Sequence, residues 1–102
     1  MWFGFAEPSD GYCFELPKEW ADTVDIQYNS GTDEYVFKNI ENGADILRIR
    51  SEFVNEYHDR YDENYVFVGE NGTKAFYVYS LAQKGDKFYL APESFIDRFS
   101  FI

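Results

Sequence analysis

The run Glu56-Tyr57-His58-Asp59-Arg60-Tyr61-Asp62-Glu63 gathers four carboxylates and the chain's one histidine into eight residues. Such a run raises cation binding first. A calcium loop needs oxygen ligands at fixed spacing and a glycine at its sharp turn, and no glycine stands between Gly43 and Gly69. Zinc wants more imidazole or thiolate than this stretch holds. The run therefore reads as a solvated loop, and no metal or other cofactor is expected. Cys13 and His58 are the sole thiol and imidazole. They form a nucleophile pair only if the fold joins them with a third, orienting group. Nineteen acids also allow carboxylate pairs for glycoside hydrolysis, but no spacing selects one pair. Gly69 and Gly72 flank a turn rather than open a helix behind a strand, so no phosphate loop is indicated.

Charge narrows the partners. Nine Lys and Arg against nineteen Asp and Glu leave a net charge of −10, and the cations Arg48, Arg50, Arg60 and Arg98 are scattered among carboxylates. A phosphate backbone needs clustered cations, so nucleic acid is not an expected partner. A single cysteine, Cys13, rules out an internal disulfide. No run approaches the roughly 20 apolar residues of a membrane span. The start, Met1-Trp2-Phe3-Gly4-Phe5-Ala6-Glu7-Pro8, lacks a basic leader region, and the chain reads as a piece of a longer exported protein.

The elements that must position these groups are strands. Nine Tyr, eleven Phe and two Trp fall largely in alternating runs, the pattern of a sheet with one buried face. Each ring can bury about 150–250 Å², more in sum than a core of this size easily holds, so some rings should stay exposed. Tyr12 to Leu16 is the first clear strand, set off by the turn-forming Glu7-Pro8-Ser9-Asp10-Gly11 and ended by Pro17. Residues 23–29 and 34–39 make a hairpin across Ser30-Gly31-Thr32-Asp33, with Val24, Ile26 and Tyr28 on one face and Tyr35 and Phe37 on one face. Asp45 to Phe53 is the longest alternating run, with Leu47, Ile49, Ser51 and Phe53 inward and Arg48, Arg50 and Glu52 outward. Asn-Gly at 71–72 joins residues 65–69 to 73–80 as a second hairpin. Pro92 suits the first turn of a C-terminal helix ending at Phe99, its apolar face made by Phe95, Ile96 and Phe99. Residues 1–102 thus form a single α+β domain: an antiparallel sheet of about six strands packed by a C-terminal helix.

Tyr12-Cys13-Phe14-Glu15-Leu16-Pro17-Lys18-Glu19-Trp20 resembles the opening strand of Mog1/PsbP-like domains, two aromatics followed by leucine, proline and tryptophan. The later order is similar too. Ile46-Leu47-Arg48-Ile49 in a long strand, then an aromatic hairpin and Phe95-Ile96-Asp97-Arg98-Phe99-Ser100-Phe101, look like lipoprotein-associated domains of Gram-positive gut bacteria. The likeness spans about residues 12–101. It implies an antiparallel sheet sandwiched by helices in an extracellular or cell-envelope protein, with a signal and a lipid-bearing cysteine upstream, and it implies no enzyme.

The function expected is a noncatalytic interaction module whose partner is a protein or cell-wall glycan. Trp20, Tyr57 and Tyr61 are the contact residues, rimmed by the acidic run from Glu56 to Glu63. Trp20 follows Pro17-Lys18-Glu19 at a strand exit, where it either closes one end of the core or presents its indole to a ligand. The alternative is a small hydrolase using acidic residues or the Cys13/His58 pair.

Overall fold

The computed structural model describes residues 3–53 and 65–102. Eight strands lie among them: β1 (Gly4–Glu7), β2 (Tyr12–Glu15), β3 (Val24–Asn29), β4 (Glu34–Asn39), β5 (Asp45–Phe53), β6 (Val66–Glu70), β7 (Lys74–Ser80) and β8 (Phe99–Phe101). They form two antiparallel sheets, one of three strands in the order β1-β2-β8 and one of five in the order β3-β4-β5-β7-β6. The sheet class and antiparallel sense agree with the alternation. The strand count does not, because the short β1 and β8 carry too few residues to show a period.

One face of each sheet is turned to the other, and aromatic rings fill the gap. Tyr12 and Phe99 of the small sheet lie with ring centroids 4.9 and 5.4 Å from Phe76 of the large one. Phe5 reaches Phe37 at 5.5 Å. Phe14, Leu47, Ile49, Val78 and Phe95 complete a core that excludes water. Aromatic pairs at such tilted angles add about 0.5–1.5 kcal/mol each beyond the area they bury.

Both predicted hairpins form. Gly72 takes φ +91° in the 71–73 turn, and the Asn71 side-chain carbonyl accepts from the amides of Thr73 and Lys74, which closes it. The helix expected to run to Phe99 is much shorter: a 3₁₀ turn at Pro92–Ser94 and a single α turn, α1 (Phe95–Arg98). Phe99 is claimed instead by β8, where it pairs with Phe14. Two further expectations are corrected with it. Ile96 does not share the buried face of Phe95 and Phe99 but is 61% exposed. Phe53, expected inward, is 43% exposed at the end of β5, where the Lys74 ammonium sits 5.1 Å from its ring centroid.

The longest strand is interrupted. Phe37 opposes Leu47, but the next residue, Lys38, opposes Asp45, so Ile46 is an extra residue in β5. Such a bulge shifts the side-chain alternation by one. Ile46 turns into the core beside Leu47, and Asp45 moves to the outer face with Lys38 and Arg48.

Phe37→Ala should cost about 3–5 kcal/mol, the range for truncating a buried ring. Ile96→Ala should stay within about 0.5 kcal/mol. Urea unfolding of the two variants checks both values.

Candidate functional site

The outer face of the five-stranded sheet carries a convergent set of polar groups. Alternation along β4 places Glu34, Val36 and Lys38 there, and β5 adds Asp45, Arg48, Arg50 and Glu52. Lys38 Nζ meets Asp45 Oδ1 at 2.6 Å, and Arg48 Nη2 meets Asp45 Oδ2 at 2.7 Å, so each carboxylate oxygen holds one cation. That arrangement needs the bulge. In an unbroken strand, residues three apart face opposite sides and Asp45 could not reach Arg48.

Glu34 is only 4% exposed and accepts a hydrogen bond from the Tyr65 hydroxyl. Tyr65 lies against Tyr79 with centroids 5.2 Å apart, and the Arg50 guanidinium lies 6.0 Å from the Tyr65 ring centroid. Burial, with Glu34 adding to it, pushes the Tyr65 hydroxyl up to about 12. The hydroxyl therefore stays a donor at neutral pH. Hydrogen bonds from Lys38 and then Arg48 hold the Asp45 carboxyl below its ordinary value. A carboxylate so held is a fixed acceptor and a poor proton donor.

Between β3, the β3–β4 turn and this charge chain runs a groove of about 480 Å³, lined among others by Gln27, Asn29, Glu34, Lys38, Asp45 and Arg48. Tyr28 borders the groove from β3, but its ring turns to the opposite face of the sheet, against Tyr35 at 4.9 Å. Gln27 donates to Asp25 at 3.0 Å, and Asn29 accepts from the Gly31 amide at 3.0 Å, which fixes both amide groups along the rim. Arg48 Nε is buried and has no hydrogen-bond partner among the described residues.

A second polar cluster ties the two sheets together. Tyr35 on β4 donates to Glu7 on β1, and Glu7 also accepts from the Ser9 amide at 2.8 Å. Lys74 on β7 bonds Asp10 at 2.9 Å, while Asp33 accepts from Tyr28 at 2.6 Å and from Ser51 at 3.0 Å. This cluster acts as a clasp between layers. Asp33 takes φ +55° in the turn before β4, a conformation that Asp tolerates better than most residues.

Trp20 is corrected as a contact residue. The 3₁₀ turn at Lys18–Trp20 folds its indole into the core, where it is 1% exposed and meets Phe88 edge-on at 5.7 Å. Of its two expected roles, closing the end of the core is the one it plays. Tyr57, Tyr61, His58 and the rest of the Glu56 to Glu63 run lie outside the described residues. Cys13 is half-buried in β2, opposite Ala6 and Ser100. No metal-ligating group of three or more side chains occurs among the described residues, and no helix among them is long and apolar enough to cross a membrane.

The groove residues were within reach of the sequence only in part. Alternation placed Arg48 outward, but the bulge that brings Asp45 beside it left no composition signal. No family profile, curated protein or solved structure matches the chain.

The clasp has a pH signature. The hydrogen bond from Tyr35, partly opposed by burial, holds the Glu7 carboxyl below its ordinary value. A depressed carboxylate adds stability that is present above the unfolded value and lost as pH falls through the folded one. Thermal unfolding should therefore show wild type losing more stability than Glu7→Gln between about pH 5 and 3, with the two curves converging at the acid end. Parallel curves would remove Glu7 from that role.

Proposed function

We propose that the chain is a noncatalytic interaction module of a bacterial cell-envelope protein, and that it binds through the outer-face groove. The observation that carries this reading is the preformed set of Lys38, Asp45 and Arg48, with Tyr65 bonded to Glu34 on the same face. Its members are held by one another along a concave space, and precisely placed polar groups of this kind fix a ligand's orientation. The likeness of residues 12–101 to Mog1/PsbP-like domains of exported lipoproteins supports the envelope setting.

Binding fits these groups better than hydrolysis does. Glycoside hydrolysis needs a protonated carboxyl beside an ionised one, and Asp45, held by Lys38 and Arg48, does not serve as that acid. Binding needs the reverse, charged groups fixed in place before the ligand arrives.

Co-sedimentation with isolated Gram-positive cell walls, their proteins retained, tests the reading. Wild type should pellet with the walls and Asp45→Ala should remain largely in the supernatant, with its circular dichroism unchanged. Equal pelleting of the two would take the groove out of the interaction.

A further inference from the structure

Among the described residues, β3 is the longest edge strand of the two sheets, and every position from Asp25 to Asn29 is exposed. At the opposite edge of the same sheet, β6 carries a bulge between Phe67 and Gly69 and lies against α1. Edge strands are commonly blunted by a bulge, a proline, a lysine or a covering element. β3, Val24-Asp25-Ile26-Gln27-Tyr28-Asn29, has no proline or lysine and pairs with β4 without a register shift.

The phase of the ladder tells which of its backbone groups are left over. The Ile40 amide donates to the Thr23 carbonyl at 3.1 Å, so Thr23 turns toward β4. Bonded and non-bonded positions alternate along an antiparallel pair, so Asp25, Gln27 and Asn29 also face β4, while Val24, Ile26 and Tyr28 point their amides and carbonyls away from it. The side chains of these outward-pointing residues lie on the inner face with Tyr35 and Phe37, where Ile26 is 38% and Tyr28 52% exposed. Main chain and apolar face thus both end at solvent along β3.

A second copy turned about a two-fold axis fits this edge in one register. With Ile26 opposite its own counterpart, Val24 of each copy faces Tyr28 of the other, and every outward amide and carbonyl of both strands is paired. On the inner face, a β-branched residue then meets an aromatic ring, a favoured cross-strand pair. On the outer face, Gln27 of each copy falls opposite Asp25 of the other, donor against acceptor. The Gln27 amide already bonds the Asp25 carboxylate at 3.0 Å within one strand. An axis through Asp25 would set like charges directly opposite, which is destabilising. Asp25 is the one charged residue of β3, so the net charge of −10 opposes pairing mostly from a distance, where salt screens it. An unrelated extended peptide would meet the same backbone groups, but the match of Asp25 with Gln27 is peculiar to self-pairing.

We infer that β3 pairs antiparallel with β3 of a second copy, joining two five-stranded sheets into one continuous sheet across a two-fold axis. This goes beyond the binding role of the groove and does not depend on it. The six residues of β3 span about 20 Å, a short interface that makes the dimer weak and concentration-dependent.

Sedimentation equilibrium of the whole chain from about 10 µM to 1 mM, at about 0.05 and 0.5 M NaCl, tests this. The average mass should rise toward twice the monomer with concentration, and more steeply at the higher salt, where repulsion between the copies is screened. Ile26→Pro removes an outward amide and no bond to β4, and should abolish the rise. Gln27→Asp should weaken the dimer by about fivefold or more and Gln27→Lys should tighten it, because each change acts at two symmetric pairs with Asp25. Should Ile26→Pro fail to fold, the two Gln27 variants decide. A monomer mass across the whole range overturns the inference, and so does a dimer indifferent to these substitutions. A monomer whose pelleting with cell walls is lost in folded Ile26→Pro would assign the edge to a foreign strand instead.

Discussion

Two sheets that pack face to face build their core from the inward-facing side chains of both. In this chain the contact is made by a ladder of aromatic rings, Tyr12 and Phe99 from the small sheet against Phe76 of the large one, with Phe5 against Phe37 alongside. The constraint reaches outward. Once β4 and β5 commit Phe37, Leu47 and Ile49 to this layer, the period of two fixes Glu34, Lys38, Arg48 and Arg50 on the opposite side. The candidate site is in this sense the reverse side of the core.

The bulge at Ile46 breaks that alternation in β5, and it serves both layers. Inward, it supplies a second adjacent apolar group to the core beside Leu47. Outward, it sets a carboxylate between Lys38 and Arg48, where regular pleating would have left two cations facing each other without a counter-ion. Ion pairs on a half-exposed face contribute little to stability, about 0–1 kcal/mol. Their value here lies in geometry, since each holds the other in a fixed position.

The sequence discloses this fold wherever a run is long enough to show its period. Residues 23–29 and 34–39, 45–53, and the hairpin around Asn71-Gly72 announce themselves by alternation and turn chemistry. Four residues at β1 and three at β8 cannot, and Phe95, Ile96 and Phe99 read as one helical face because strand pairing of Phe99 with Phe14 is a tertiary event. Trp20 shows the same limit in a single residue. Its surroundings in sequence are polar, but Phe88, which receives it, lies far along the chain. Asp45 is the instructive case at the site, for its position depends on a register shift that only the partner strand defines.

The small sheet joins distant stretches of chain. β2 pairs on one side with β1 and on the other with β8, so Tyr12 lies opposite Phe101. Contacts of such long sequence separation must wait until the loop between them has closed, and their entropy cost falls before any of their stabilisation is gained. During synthesis, the ring ladder would stay open on one side, with Tyr12 and Phe76 lacking Phe99, until residues near 100 have left the ribosome. The five-stranded sheet can assemble earlier from its neighbouring hairpins, which makes the groove-bearing layer the template on which the remainder settles.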